Sequence, residues 1–566
     1  MIRSHTMVAA GLVAAGLSMT PRAEACGGFF CDAVQPVIQT GESIIFAVDG
    51  TANTVDAVIN IQYQGAATEF AWVLPLQSAP ESIEVAPTFL FRTMDQLTAP
   101  RFSTQWTTRG ECRAPVFSAG APDASASGGD SGAAVDAGSG VEVLAQKSVG
   151  PYHSVVIRSS DPEEMRRWLI DNNYRVTSEM MRSVVPYVTK GDVLLALKLQ
   201  SDRAVGDIQP IWVQMTGSEV CVPIRLTAIA AAADMDITTL VLSKQGRAIP
   251  ENYNHLQLNW ARLDWVRRGS NYRSLVAEAA DQGSGNAFVT EYAGPSRIFD
   301  DQLHRVGQFN RAEIESATEV EALVNRLQAQ GLTQHPEVAA ILTASIGVDR
   351  LQAAGISPTQ FASCPGCWSF RLQGVEIDGA AVAAAIWARV VEPLSALQDM
   401  FDRYTYATRL FTLISPEEMT VDPEFAFRES LPQVSNNHSA IITRDCTGGV
   451  DISEAPLEVY VQDTEQTLFL GPTGAERAAL DALPAAAVVE QLAQGLTIED
   501  RRAEIAAALE VQEETMRPYQ PGGPGGQAVS DGCDCRGARS GESTLAFALL
   551  LSTLFALRRR RREPSV

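Results

Sequence analysis

Between Val55 and Gln64 the chain alternates. Val55, Ala57, Ile59, Ile61 and Tyr63 are separated by polar residues that include Asp56, Asn60, Gln62 and Gln64. A period of two sends the two sets to opposite faces of an extended strand, so the segment is expected to lie half buried in a sheet. The apolar run Ile44-Ile45-Phe46 comes just before it, and Asp49-Gly50 between them supplies a turn, which predicts an antiparallel pair. The continuous apolar run Phe70 to Leu74 stops at Pro75, and further strands are expected at Ser154–Arg158, Val193–Leu199, Ile211–Met215, Arg225–Ala230 and Thr238–Leu242.

Helix starts are marked by Asp161-Pro162-Glu163-Glu164 and Ser415-Pro416-Glu417-Glu418. Each gives a capping residue, a proline at the first helical position and acids facing the positive end of the helix dipole. The first helix should end near Asn172-Asn173. Beyond Phe299 the spacing turns helical over Ala312 to Ala354, Gly379 to Thr412 and Ala475 to Met516, with short strands expected at Leu457–Val461 and Thr467–Leu470. The expected fold is α+β. A β-rich, sandwich-like part over residues 26–300 is followed by a mainly helical region over 301–517 and then a short C-terminal transmembrane helix. No internal repeat points to a solenoid or propeller.

Both ends of the chain carry targeting features. Arg3, an apolar stretch from Met7 to Leu17 and Ala23-Glu24-Ala25 before Cys26 read as a signal peptide over residues 1–25, implying the export machinery and signal peptidase as partners. Acylation of Cys26 as a lipoprotein is the alternative, disfavoured by Glu24. At the other end, Pro521-Gly522-Gly523-Pro524-Gly525-Gly526 lies in a linker over 518–532. Cys533-Asp534-Cys535 opens a tail over 533–562, in which the apolar run Leu545 to Leu557 meets Arg558, Arg559, Arg560, Arg561 and Arg562. Those arginines would stop transfer and stay on the cytoplasmic side, leaving the body exported and held at the cell envelope or surface. Residues 118–140, nearly all Ala, Gly and Ser, offer little to bury and are expected to be a disordered loop.

Charge narrows the partners. Residues 1–25 and 531–566 hold nine of the 44 basic and five of the 67 acidic side chains, which leaves the body a net charge of −27. Nucleic acid and anionic headgroups are excluded on that ground, and cationic partners are not.

Two resemblances follow from particular phrases. Ala25-Cys26-Gly27-Gly28-Phe29-Phe30-Cys31, Ile61-Gln62-Tyr63-Gln64-Gly65, Phe70-Ala71-Trp72-Val73-Leu74-Pro75, Trp168-Leu169 with Asn173-Tyr174, Ile224-Arg225-Leu226-Thr227 and Thr290-Glu291-Tyr292-Ala293-Gly294 together resemble the bacterial domain of unknown function 2330, over residues 25 to 300. That resemblance implies export and surface display, with no activity or substrate. The tail is similar to the myxobacterial C-terminal sorting signal (MYXO-CTERM). This implies a sorting protease as partner and processing or anchoring at Cys533 or Cys535, although Asp534 stands where a small residue is more usual.

Candidate chemistry is sparse. Cys26 with Cys31 and Cys364 with Cys367 are the first expected disulfides, and two of Cys112, Cys221 and Cys446 are expected to form a third. Cys364-Pro365-Gly366-Cys367 has the spacing of a thiol-disulfide centre, but it follows a helical stretch and not the strand of a βαβ unit. Gly129-Asp130-Ser131-Gly132 imitates a serine nucleophile within a loop that could not hold it. The six histidines are scattered, Asp234-Met235-Asp236 lacks the rest of a calcium loop, and Tyr253, Trp260, Trp265 and Tyr272 read as core. No catalytic residue, metal or cofactor is assigned. The expected function is an exported, envelope-anchored binding or structural module of unknown ligand; the alternative is an extracytoplasmic thiol-disulfide oxidoreductase using Cys364 and Cys367.

Overall fold

The computed structural model of the protein describes residues 38–64, 71–113, 142–172, 174, 176–200, 208–299, 309–472 and 474–516. The expected signal peptide over residues 1–25, Cys26, Cys31, residues 118–140 and 518–532, Cys533, Cys535, Leu545–Leu557 and Arg558 to Arg562 lie outside them. The chain is a mixed α/β fold with large sheets in its N-terminal part and more helix in its C-terminal part.

Ten strands form the main sheet, in the order Leu496–Asp500, Ala486–Gln491, Asn254–Leu258, Ala287–Pro295, Tyr406–Ile414, Ala231–Ser243, Ile38–Asp49, Thr54–Gln64, Ile211–Thr216 and Pro80–Val85. The hairpin expected around Asp49-Gly50 is present, with Ile44 opposite Ile59 and Phe46 opposite Ala57. Ile38–Asp49 also pairs in parallel with Ala231–Ser243. Its alternate residues serve different cores: Ile44, Phe46 and Val48 pack on one side, Ile45 and Ala47 on the other. Thr54–Gln64 is therefore more buried than a half-solvated strand. Asp56 is tolerated inside because Trp212 Nε1 and Gln214 Nε2 donate to it at 3.0 and 3.1 Å.

Behind Ile44 and Phe46 lies a four-stranded sheet of Ala71–Leu76, Val193–Leu199, Tyr152–Arg158 and Glu142–Val149. Trp72, Leu74, Leu195 and Leu197 fill the space between the sheets. Ala71, Val73, Leu194 and Ala196 face the other way, against helices Pro162–Asp171 and Ser178–Lys190. On the opposite face of the main sheet, Ile45, Ala47, Leu240 and Leu242 pack under helices drawn from residues 311–403. A third core surrounds helix Tyr272–Gln282, between the far end of the main sheet and a four-stranded sheet that includes Arg101–Gly110 and Asn437–Cys446.

The main sheet draws strands from both sides of residue 300. Gly379–Arg403 is one continuous helix with a π turn at Trp387–Val391, just before Pro393, whose ring supplies no N–H. It is the one described helix long and apolar enough to cross a membrane, and it buries Val382, Ile386, Val390 and Leu394 in the core. The helical pattern expected to run on to Thr412 gives way to strand Tyr406–Ile414. That of Ala475–Met516 is interrupted by strands Ala486–Gln491 and Leu496–Asp500, where the β-branched pair Val488-Val489 joins the sheet.

Two further segments differ from expectation. Arg225–Ala230 starts as a helical turn, Ile224–Thr227, entered through Pro223. Ser415-Pro416-Glu417-Glu418 closes a single turn in which Ser415 N donates to the Glu418 carboxylate at 2.9 Å, and Pro423 follows too soon for a helix to develop.

Candidate functional site

A cleft of about 200 Å³ opens between the main sheet and the elements that cover it. Its apolar wall comes from the sheet face that carries Ile44, Phe46, Ile59 and Met215, together with Leu74 and Leu76 from the sheet behind. The last turn of helix Ser178–Lys190 brings in Tyr187 and Lys190. Thr177 starts that helix by accepting from Met180 N, and Gly191, at φ 90°, ends it in the left-handed conformation that glycine adopts at low cost. Cys221 and Arg225 flank Pro223, and Asp422 enters from a loop that follows strand Tyr406–Ile414.

Asp422 is the junction. Tyr187 Oη donates to its Oδ1 at 3.0 Å, and the backbone N–H of Arg225 donates to the same oxygen at 2.9 Å. Its loop is clamped by Asn252, whose Nδ2 donates to the Asp422 carbonyl at 2.8 Å and whose Oδ1 accepts from Glu424 N at 2.8 Å. Val222 N donates to the Pro423 carbonyl at 3.1 Å. The position of the carboxylate is thus fixed by backbone as well as side chain.

Burial raises the Asp422 carboxyl above its ordinary range, against the opposing pull of the Arg225 N–H and Tyr187. The Tyr187 hydroxyl and the Cys221 thiol are pushed up by burial and then by the Asp422 charge. Both therefore keep their protons: the thiol is no nucleophile, and the phenol is a donor. Glu42, fully enclosed nearby, is pushed up to about 7 by burial, with Asp422 adding to the shift, although Thr227 and Gln39 donate to it. Among the described residues no group of three His, Cys, Asp or Glu side chains could hold a metal ion. A small apolar pocket with a few fixed polar groups can bind and orient a ligand.

The residues singled out from the sequence lie elsewhere. Cys364 and Cys367 are bonded to each other at the junction of the short helices Pro358–Ser363 and Pro365–Trp368, with Cys367 exposed, and neither lines the cleft. A second bond joins Cys112 to Cys446, and Cys221 is the free cysteine among the described residues. Tyr253 and Trp265 are interior residues, and Trp260 and Tyr272 surround Phe102 in the third core.

His255 belongs to a buried network: Thr290 Oγ1 lies 3.0 Å from its Nε2 and Glu490 Oε1 lies 3.0 Å from its Nδ1. Arg247 donates to Thr290 at 2.9 Å. The order hydroxyl, imidazole, carboxylate is that of a relay, but these groups are packed into the sheet and do not line the cleft. Asp422 itself escaped sequence reading. An Asp before Pro marks a turn, and its partners lie 235 and 197 residues away.

No curated protein matches the chain. Among solved structures, it is similar to a mutated baculovirus P35 after caspase cleavage, with 11% identity over 39% of this chain and 76% of that one and a TM-score of 0.21, too low to carry an argument. A family model matches residues 20–302, which include most of the cleft wall, Tyr187, Cys221 and Arg225, and leave Asp422 to the sequence beyond. The chain belongs to the family described as an uncharacterized protein conserved in bacteria (DUF2330).

Proposed function

We propose that the chain is an exported surface protein, held at the cell envelope by its tail, whose folded unit binds a ligand in the cleft and catalyses no reaction. The observation that carries the binding reading is the convergence of Tyr187 Oη and the Arg225 N–H on one carboxylate oxygen of Asp422, which lines an apolar-walled cleft. Export is supported by the signal-like N-terminus and by the bond between Cys112 and Cys446, since structural disulfides persist in oxidising compartments. The tail supports anchoring: Cys533 or Cys535 as the processing or attachment point, Leu545–Leu557 in the membrane and Arg558 to Arg562 on its inner side, with the resemblance to the myxobacterial sorting signal pointing to a sorting protease. Cell fractionation tests this. The intact chain should be recovered with the envelope, and deletion of Leu545 through Arg562 should release it. Recovery of the intact chain in the cytosol, or an unchanged location after the deletion, refutes the anchored reading.

A second reading, thiol-disulfide exchange, is favoured by one observation: the bonded pair Cys364–Cys367 has its second cysteine exposed. A dithiol reduction assay on wild type and Cys364→Ser separates the two. Turnover lost in the variant supports exchange, and equal or absent turnover removes it.

A further inference from the structure

Resting on the reading of the cleft as a binding site, we propose that its occupant ends in a primary ammonium group on a short apolar stem, with the ammonium seated on Asp422. Three observations lead there. The first is size: about 200 Å³ is below the roughly 300–1,000 Å³ of pockets for drug-sized ligands, so the occupant is a small amine or a single lysyl side chain. The second is shape and polarity. Ile44, Phe46, Ile59, Leu74 and Met215 wall the cleft with hydrocarbon, and Tyr187, Arg225 and Asp422, which line it too, are held to one another by hydrogen bonds.

The third is an imbalance of charge. Asp192, Glu219, Asp422 and Glu424 line the cleft against Lys190 and Arg225. The donors placed on Asp422 are a phenol and a backbone N–H, both neutral and both on Oδ1. Among the described residues no cationic side chain forms an ion pair with Asp422 and none donates to its Oδ2. Arg225 and Lys190 act on it only across a distance. A carboxylate held in place, partly withdrawn from water and given no counter-ion is completed by a ligand cation, which forms a charge-assisted hydrogen bond on the open oxygen. The body's charge of −27 draws cations toward it as well.

The test uses the full-length protein and four probes: n-pentylammonium, n-pentanol, pentanoate and N-acetyllysinamide. Binding is read by calorimetry and by the rise in melting temperature on ligand addition. The proposal expects pentylammonium to bind at least about ten-fold tighter than pentanol or pentanoate and to raise the melting temperature the most. Asp422→Asn should remove that preference, while the exposed Glu454→Gln keeps it.

If Asp422→Asn does not fold, Tyr187→Phe replaces it, and the preference among probes in the wild type decides by itself. N-acetyllysinamide binding tighter than pentylammonium assigns the site to a lysyl side chain of a polypeptide, and the reverse order assigns it to a free amine; both support the ammonium chemistry. Pentanol or pentanoate binding as tightly as pentylammonium overturns the ammonium class and leaves the cleft a binding site. Binding of none of the four overturns both.

Discussion

The two disulfides should differ widely in what they contribute. Cys112 and Cys446 are separated by 334 residues, whereas Cys364 and Cys367 are separated by 3. In the chain-entropy treatment a cross-link removes freedom from the unfolded chain by an amount that grows with the logarithm of the loop it closes, which gives about 6 kcal/mol for the long loop and about 2 kcal/mol for the short one. The long bond closes the end of the parallel pair Arg101–Gly110 with Asn437–Cys446, where Cys446 is fully buried. Removing it also leaves two polar hydroxyls in its place when serine is substituted. The double variant Cys112→Ser, Cys446→Ser should lower the guanidinium midpoint by two to three times as much as Cys364→Ser, Cys367→Ser. Midpoints are read by far-ultraviolet circular dichroism and tryptophan fluorescence, with the wild type under reducing conditions as a third comparison. Equal losses, or a larger loss for the short-loop pair, would refute the loop-entropy argument.

Other expectations follow from buried charge. Arg409 bridges Glu291 and Asp95, with Glu291 almost wholly enclosed; Arg409→Met strands that carboxylate and should cost about 3–5 kcal/mol in denaturant unfolding, and a loss under about 1 kcal/mol would contradict the pairing. Glu42 has its folded pKa raised to about 7 from 4.5, so the folded state holds a proton that the unfolded chain releases. Its contribution is complete below pH 4.5 and is lost as pH rises through 7, and Glu42→Gln should raise the melting temperature at pH 8 while changing little at pH 4.5. His255 runs the other way: burial lowers its pKa, so its contribution is present above the unfolded value of 6.5 and declines as pH falls, and His255→Gln should flatten the acid side of the stability profile. Gly110, at φ 81°, would place an added Cβ 2.8 Å from the Cys446 and Thr447 backbone; Gly110→Ala should lower the melting point, and an unchanged melting point would contradict that packing.

Much of the sheet could be read from local pattern. Val193–Leu199 appears at its expected bounds, and Asp161 caps its helix by accepting from Glu163 N at 2.8 Å, ending at Asn172 as the sequence indicated. The failures share a cause. Helical spacing over Gly379–Thr412 continues through Tyr406–Ile414 because a strand buried on both faces has no alternation to betray it, and only its neighbours Ala231–Ser243 and Ala287–Pro295 make it a strand. The cleft was illegible for a related reason. Tyr187, Arg225 and Asp422 meet through topology, and no spacing along the chain encodes a contact across 235 residues.

Strand Tyr406–Ile414 has a consequence for biogenesis. It is wedged between Ala231–Ser243 and Ala287–Pro295, so during synthesis the first of those strands keeps an unpaired edge over about 160 later residues and the second over about 110. Open edges of that kind recruit other chains, so the interval before Tyr406–Ile414 arrives is when this chain is most exposed to aggregation.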